Sequence, residues 1–244
     1  MMQAEQYRRL YTGGANTYSK AVRVFDQAYG LHLRPRTFET AKVQERVMHR
    51  SHDRAHTDEH LLELVRNAEL LLRNRWSLRD EVDWSRLVDF ISLHDTARSR
   101  IPATPITLFS SQLLEDVFAP LVARQCMRQQ WNDVDEALLG IIGRHPYHAG
   151  HLNRSGRVYS ATERLAVDID SLAVLSPTRV DTIYAHIQAS FFGMPLWPFH
   201  GFLSKIFDTQ ADFSFFYPET EEVAKTWRPE SQMYIREKFL GRGK

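Results

Sequence analysis

The chain has 244 residues, 25% of them charged, and a net charge of +1 with histidine neutral. That length can bury a sizeable core, and so even a balance of charge excludes a global field drawing the protein onto nucleic acid or a membrane surface. The opening MMQAEQYRRLYTGG lacks the apolar core of a signal peptide, and no stretch of about 18 apolar residues occurs. A cytoplasmic protein is expected, without a membrane or nucleic-acid partner and with its oligomeric state open. The single cysteine, Cys126, has no second cysteine to pair with and is expected to be structural. Histidine is abundant: there are 11, eight of them between His49 and His151, and imidazole is both the commonest metal ligand and a proton carrier near neutral pH.

Apolar residues recur at three- and four-residue spacing, and alternating β-branched runs are scarce, which predicts an all-α fold. Helices are expected near 17–30, 37–50, 58–74, 84–97, 110–129, 132–144, 162–174, 178–192, 198–207 and 219–240, in one domain over 1–244 with helical additions at 1–50 and 195–244. Breakers mark the loops at RPR (34–36), IPATP (101–105), HPYHAGHLNRSG (145–156) and GMPLWP (193–198). The polar 145–161 stretch has the composition of a loop bordering a site, and GMPLWPFHGF that of core packing or a partner surface.

Thr57-Asp58-Glu59 reads as an N-cap followed by acidic residues, which puts His60 in the first turn of a rigid helix. Downstream, Leu87, Phe90, Ile91 and His94 follow the i, i+3, i+4, i+7 pattern, so His94 lies on a core-facing stripe with Asp95 beside it. In the helix opened by Ala161-Thr162-Glu163, Ala166, Val167, Ala173 and Val174 flank Asp170, which points it inward, while Asp168 falls nearer Ser171 on the more polar edge. Any one of these could be a satisfied core group. Together they suggest a shared divalent ion, because buried carboxylates cost several kcal/mol without a cation. Mixed imidazole and carboxylate ligation suits Mn, Fe, Co, Ni or Zn better than Mg.

DEHLLELVRNA, SLHDTARSR and VDIDSLAVLSPTRV together resemble the H…HD…D signature of HD-domain metal-dependent phosphohydrolases, over about residues 55–180. The resemblance implies a helical bundle holding the ion between helices, with His60, His94, Asp95 and Asp170 as ligands. It departs from the family pattern at Glu63-Leu64, where many relatives have Arg-Val, and at Ser171, where an Arg is usual. It also implies a role for His145, 50 residues after Asp95, where several relatives carry a further His at a second metal or the substrate. A histidine placed by the helix dipole is the alternative.

His148 and His151 are weaker site candidates. His49, His52 and His56 are expected in a solvated polar segment. Arg98, Arg100 and Arg179 could face a bound phosphate, Arg100 being the one best explained by a solvated surface, and Lys205 could reach inward. The expected activity is hydrolysis of a small phosphorylated substrate, such as a nucleotide, by a metal-activated water, with His145 or Asp168 relaying the proton and Arg98 among the groups that neutralise charge. The alternatives are an HD-fold di-iron oxygenase, with His145 and His148 or His151 as extra ligands, and a metal-binding regulatory module.

Overall fold

The computed structural model describes residues 12–51, 53, 55–100, 104, 114–145, 147, 149–176, 179–190 and 213–235. Among these residues the regular structure is entirely helical, as the spacing of apolar residues predicts. The α-helices are α1 (Tyr18–Tyr29), α2 (Pro35–Met48), α3 (Asp58–Asn74), α4 (Leu78–Glu81), α5 (Trp84–Leu93), α6 (Ala119–Trp131), α7 (Glu136–Ile142), α8 (Ala149–Leu152), α9 (Ala161–Leu175), α10 (Val180–Ser190) and α11 (Pro218–Ile235). The helix expected near 198–207 and the GMPLWPFHGF segment lie outside the described residues. Two short helices, α4 and α8, were not expected, since four residues are too few to establish a period.

Local chemistry sets the helix starts. Asp83 caps α5 by accepting the Arg86 amide at 2.9 Å, Asp135 caps α7 through Leu138, and Ser160 with Glu163 forms a reciprocal capping box on α9. Thr57 occupies the N-cap position of α3 in an extended conformation, but its hydroxyl caps nothing. The helix expected over 84–97 stops at Leu93, and His94 to Ala97 form a turn that leads into a 3-10 turn at Arg98–Arg100.

At the centre lies α3, packed against α1, α2, α5 and α9, while α9 also contacts α11. Nearly every residue of α3 from His60 to Leu72 is buried, polar ones included. These are satisfied from neighbouring elements: Arg66 Nη2 donates to the Ala15 carbonyl at 2.9 Å, Asn67 Nδ2 to the Ile169 carbonyl at 3.2 Å, and Glu69 Oε1 accepts from the Tyr29 hydroxyl at 2.9 Å. One apolar core runs from Ala15 to Tyr217 and includes Phe25, Met48, Leu64, Phe90 and Ile169, so α1 and α2 share it. No described helix is long and apolar enough to cross a membrane.

Asp168 departs from expectation. It is fully buried, and its carboxylate accepts from the Phe216 amide (2.8 Å), the Tyr217 amide (2.9 Å) and the Thr220 hydroxyl (2.8 Å). The supposed polar edge of α9 is covered by residues 213–220, so Asp168 anchors the start of α11 and its carboxylate is taken up there, which replaces the expected proton relay. Burial pushes this carboxyl up to about 7, against the pull of the three donors. Replacing Asp168 by Ala leaves two buried amides and a hydroxyl without an acceptor. Denaturant titration is expected to show a loss of about 2–4 kcal/mol of stability, with metal content per folded chain unchanged.

Candidate metal centre

The first turn of α3, the turn after α5 and the middle of α9 each carry one part of a polar cluster inside the core. His60, His94 and Asp95 are 3%, 1% and 2% exposed, and one ligand atom of each lies within 4.8 Å of the other two. Asp95 Oδ2 stands 2.9 Å from His94 Nε2 and 3.3 Å from His60 Nε2, and Asp170 Oδ1 is 3.7 Å from His94 Nε2 and 3.6 Å from His60 Nε2. For bonds of about 2.1 Å in a tetrahedral shell, neighbouring donors are about 3.4 Å apart, so His60, His94 and Asp95 lie at a spacing that could hold a transition-metal ion, with Asp170 beside both imidazoles. His94 Nε2 and Asp95 Oδ2 face each other without hydrogen-bonding geometry to any group, the arrangement a shared cation would satisfy. The side chain of Asp170 remains 19% exposed, which leaves an approach from outside.

The histidines differ in what holds their other nitrogen. His94 Nδ1 donates to the Ile91 carbonyl at 3.1 Å, which leaves Nε2 for a metal. His145 is likewise fixed, Nδ1 donating to the Ile142 carbonyl at 2.6 Å, and its ring stands edge-on to that of His94 with centroids 5.1 Å apart. His145 is therefore brought to the centre. His60 is the exception, because its Nδ1 lies 2.6 Å from Arg179 Nη1 and a guanidinium can only donate. Arg179 is 7% exposed, donates also to the Ala55 carbonyl, and has its Nε 3.5 Å from Glu63 Oε2.

Three residues at the centre were missed in the sequence. Asp53, His56 and His186 form a second buried cluster against the first: Asp53 Oδ2 meets His56 Nδ1 at 2.8 Å, its Oδ1 meets His186 Nδ1 at 2.9 Å, and His56 Nε2 is 3.9 Å from Asp95 Oδ2. His56 is thus no part of a solvated segment. The i, i+3 spacing of Asp53 and His56, four residues before His60, was the available signal, but the segment has no apolar periodicity to orient it. Arg98 was expected to face a phosphate. Instead it is buried behind this cluster, paired with Glu115 and 3.5 Å from Asp53 Oδ2, so its charge is taken up by carboxylates.

The other candidates stand apart. His151 is exposed and stacks on Tyr147, which removes it as an extra iron ligand, and His49 is exposed beside Asp58. His52, His148, Lys205 and the side chain of Arg100 lie outside the described residues. Next to His60 opens a cavity of about 210 Å³, lined in part by Asn16, Thr57, Glu63, Arg66, Arg179 and Thr182.

Burial disfavours charge on His94, but the Asp95 carboxylate outweighs it and raises the imidazole to about 9; burial pushes both carboxyls up, but His56 and His94 hold Asp95 well below the usual carboxylate range, and His60, His145 and His94 hold Asp170 at about 2. An ion must therefore displace a proton from His94. Calorimetry in buffers of different ionisation heat is expected to find close to one proton released per ion bound at pH 7–8. Affinity is expected to climb by up to about tenfold per pH unit below 9 and to level off above it. Proton release near zero would contradict this assignment.

No family model, no curated protein and no solved structure matches this chain.

Proposed function

We propose that the protein is a metal-dependent phosphohydrolase that cleaves a phosphate ester of a small metabolite, such as a nucleotide, with His60, His94, Asp95 and Asp170 as metal ligands. The observation that carries this reading is the convergence of two imidazoles and two carboxylates from three helices at 2.9–3.7 Å, beside a cavity to which Arg66 and Arg179 contribute. The H…HD…D resemblance supports it from the sequence side.

A bound divalent ion supplies Lewis-acid polarisation of a phosphoryl oxygen and a water acidified to near neutrality. The remaining work falls to side chains. Arg66 and Arg179 bring to the cavity guanidinium groups suited to a phosphate, in a partly dry site where they favour the charge that develops on phosphorus. Asp53 accepts the Nδ1 proton of His56, so Nε2 presents its lone pair on the side of Asp95. Burial lowers the His56 imidazole, against the pull of Asp53 and Asp95, which keeps it a neutral proton acceptor near pH 7. His145, tied through Nδ1 to a carbonyl, offers its Nε2 in the same way on the side of His94.

The test is a panel of nucleotides and sugar phosphates screened with Mn, Co, Ni, Zn and Mg. Phosphate release that requires added metal is expected. Replacement of Asp170 by Ala is expected to lower both metal occupancy and turnover, by more than the roughly 10–100-fold typical of changes outside the ligand set. Metal-independent turnover, or full occupancy in that variant, would sink the reading.

A further inference from the structure

We infer that Arg179 is an anion-operated latch on the metal centre: it holds His60 in the tautomer that cannot ligate through Nε2, and a phosphate monoester in the adjoining cavity draws it away, so that anion and metal bind cooperatively. This rests on the metal and phosphate reading above and adds its regulation.

The argument starts from donor inventory. Arg179 has only N–H groups to offer, so at 2.6 Å from His60 Nδ1 it fixes that nitrogen as the acceptor. A neutral imidazole that accepts at Nδ1 carries its hydrogen on Nε2. That nitrogen faces Asp95 Oδ2 at 3.3 Å and Asp170 Oδ1 at 3.6 Å, two carboxylate oxygens that favour a hydrogen there. Behind His94 and His145 the Nδ1 partner is instead a backbone carbonyl, which can only accept, so Nδ1 carries a hydrogen there and Nε2 is the nitrogen left to meet a metal. Of these three imidazoles, His60 is the one whose Nδ1 is held as an acceptor, and Arg179 is the group that holds it. Ligation by His60 therefore needs the guanidinium to leave Nδ1.

The surroundings give it somewhere to go. Arg179 and His60 both line the 210 Å³ cavity, together with Arg66, Thr57 and Thr182. Arg179 Nε is 3.5 Å from Glu63 Oε2, so Glu63 can retain that end while Nη1 and Nη2 exchange His60 and the Ala55 carbonyl for a bound anion. A phosphate offers the guanidinium a bidentate, doubly charged acceptor in place of one neutral nitrogen and one carbonyl. The chemical class is thus a dianionic phosphate monoester, and inorganic phosphate is its simplest probe. Coupling through a shared two-position group is reciprocal, so metal must tighten phosphate by the factor by which phosphate tightens metal.

The experiment uses the full chain at one fixed pH. Free Mn²⁺ is counted by electron paramagnetic resonance during titration of the wild type, Arg179→Met and Arg66→Met, with and without saturating inorganic phosphate. The ¹⁵N shifts of His60, assigned with His60→Gln, are read in chelator-treated samples. Without phosphate, His60 in the wild type is expected to carry its hydrogen on Nε2, and Arg179→Met to raise the share that carries it on Nδ1 and to bind Mn²⁺ about tenfold more tightly. Phosphate added to the wild type is expected to produce the same tautomer change and a comparable tightening.

Arg66→Met removes an equal charge from the same cavity without touching His60, and in the absence of phosphate is expected to leave the His60 tautomer in place and to shift Mn²⁺ affinity by less than about twofold. Should Arg179→Met fail to fold, Arg179→Gln, which offers Nδ1–H an acceptor oxygen, serves in its place. Equal tightening in both arginine variants, or an unmoved His60 tautomer, would overturn the latch while leaving the metal centre standing. Absence of His94-dependent Mn²⁺ binding would overturn the metal reading and the latch together.

Discussion

Asp53, Asp95 and Asp170 stand side by side in a helical interior where an unpaired carboxylate costs several kcal/mol. The structure meets that cost with imidazoles: His60 and His94 converge on Asp95 and Asp170, and His56 and His186 take one oxygen each of Asp53. Arg98 closes the rear of the cluster against Asp53 and Glu115. Imidazole is the one side chain that can serve such a carboxylate as a proton donor and then yield its place to a metal without leaving the site. An apolar core of the same volume would cost less, so the polar interior is better explained by chemistry than by stability.

The helices divide this work by depth. α3 places His60 in its first turn, where backbone amides still lack intrahelical acceptors, and His94 and Asp95 follow in the turn that ends α5. α9 contributes from mid-helix, where Asp170 is fixed by the register of a buried rod. Two ends and one middle leave an opening at the cavity side of His60, and it is there that Arg66, Glu63 and Arg179 gather. The ordering of donors about each imidazole then sets what it can do: a carbonyl behind His94 and His145, a carboxylate behind His56, a guanidinium behind His60.

How legible this was depended on periodicity. The stripe Leu87, Phe90, Ile91, His94 and the flanks of Asp170 announced inward polar groups because helical spacing says which way a residue faces. Asp53 and His56 sit in a segment with no repeat to read, and His186 lies on a helix whose partners come from far along the chain, so nothing local marked them as buried. Asp168 was misjudged for a related reason. A wheel with one polar edge assumes one covered face, whereas α9 is enclosed on the further side by residues 213–220. Arg98 and Arg179 were both read as free to meet a phosphate, and only tertiary contacts reveal that one is spent on carboxylates and the other on His60.

Asp168 and Asp170 are two residues apart, so about 200° separates them around α9 and they face opposite ways. One holds the entry to α11; the other reaches the ion site. Peeling α11 from the bundle would strand the Asp168 carboxylate among apolar neighbours, which ties that detachment to the loosening of α9 itself. The C-terminal helix and Asp170 opposite it therefore belong to one cooperative opening unit, and the exchange of the Phe216 and Tyr217 amides with solvent should keep time with the breathing of the histidine–carboxylate cluster.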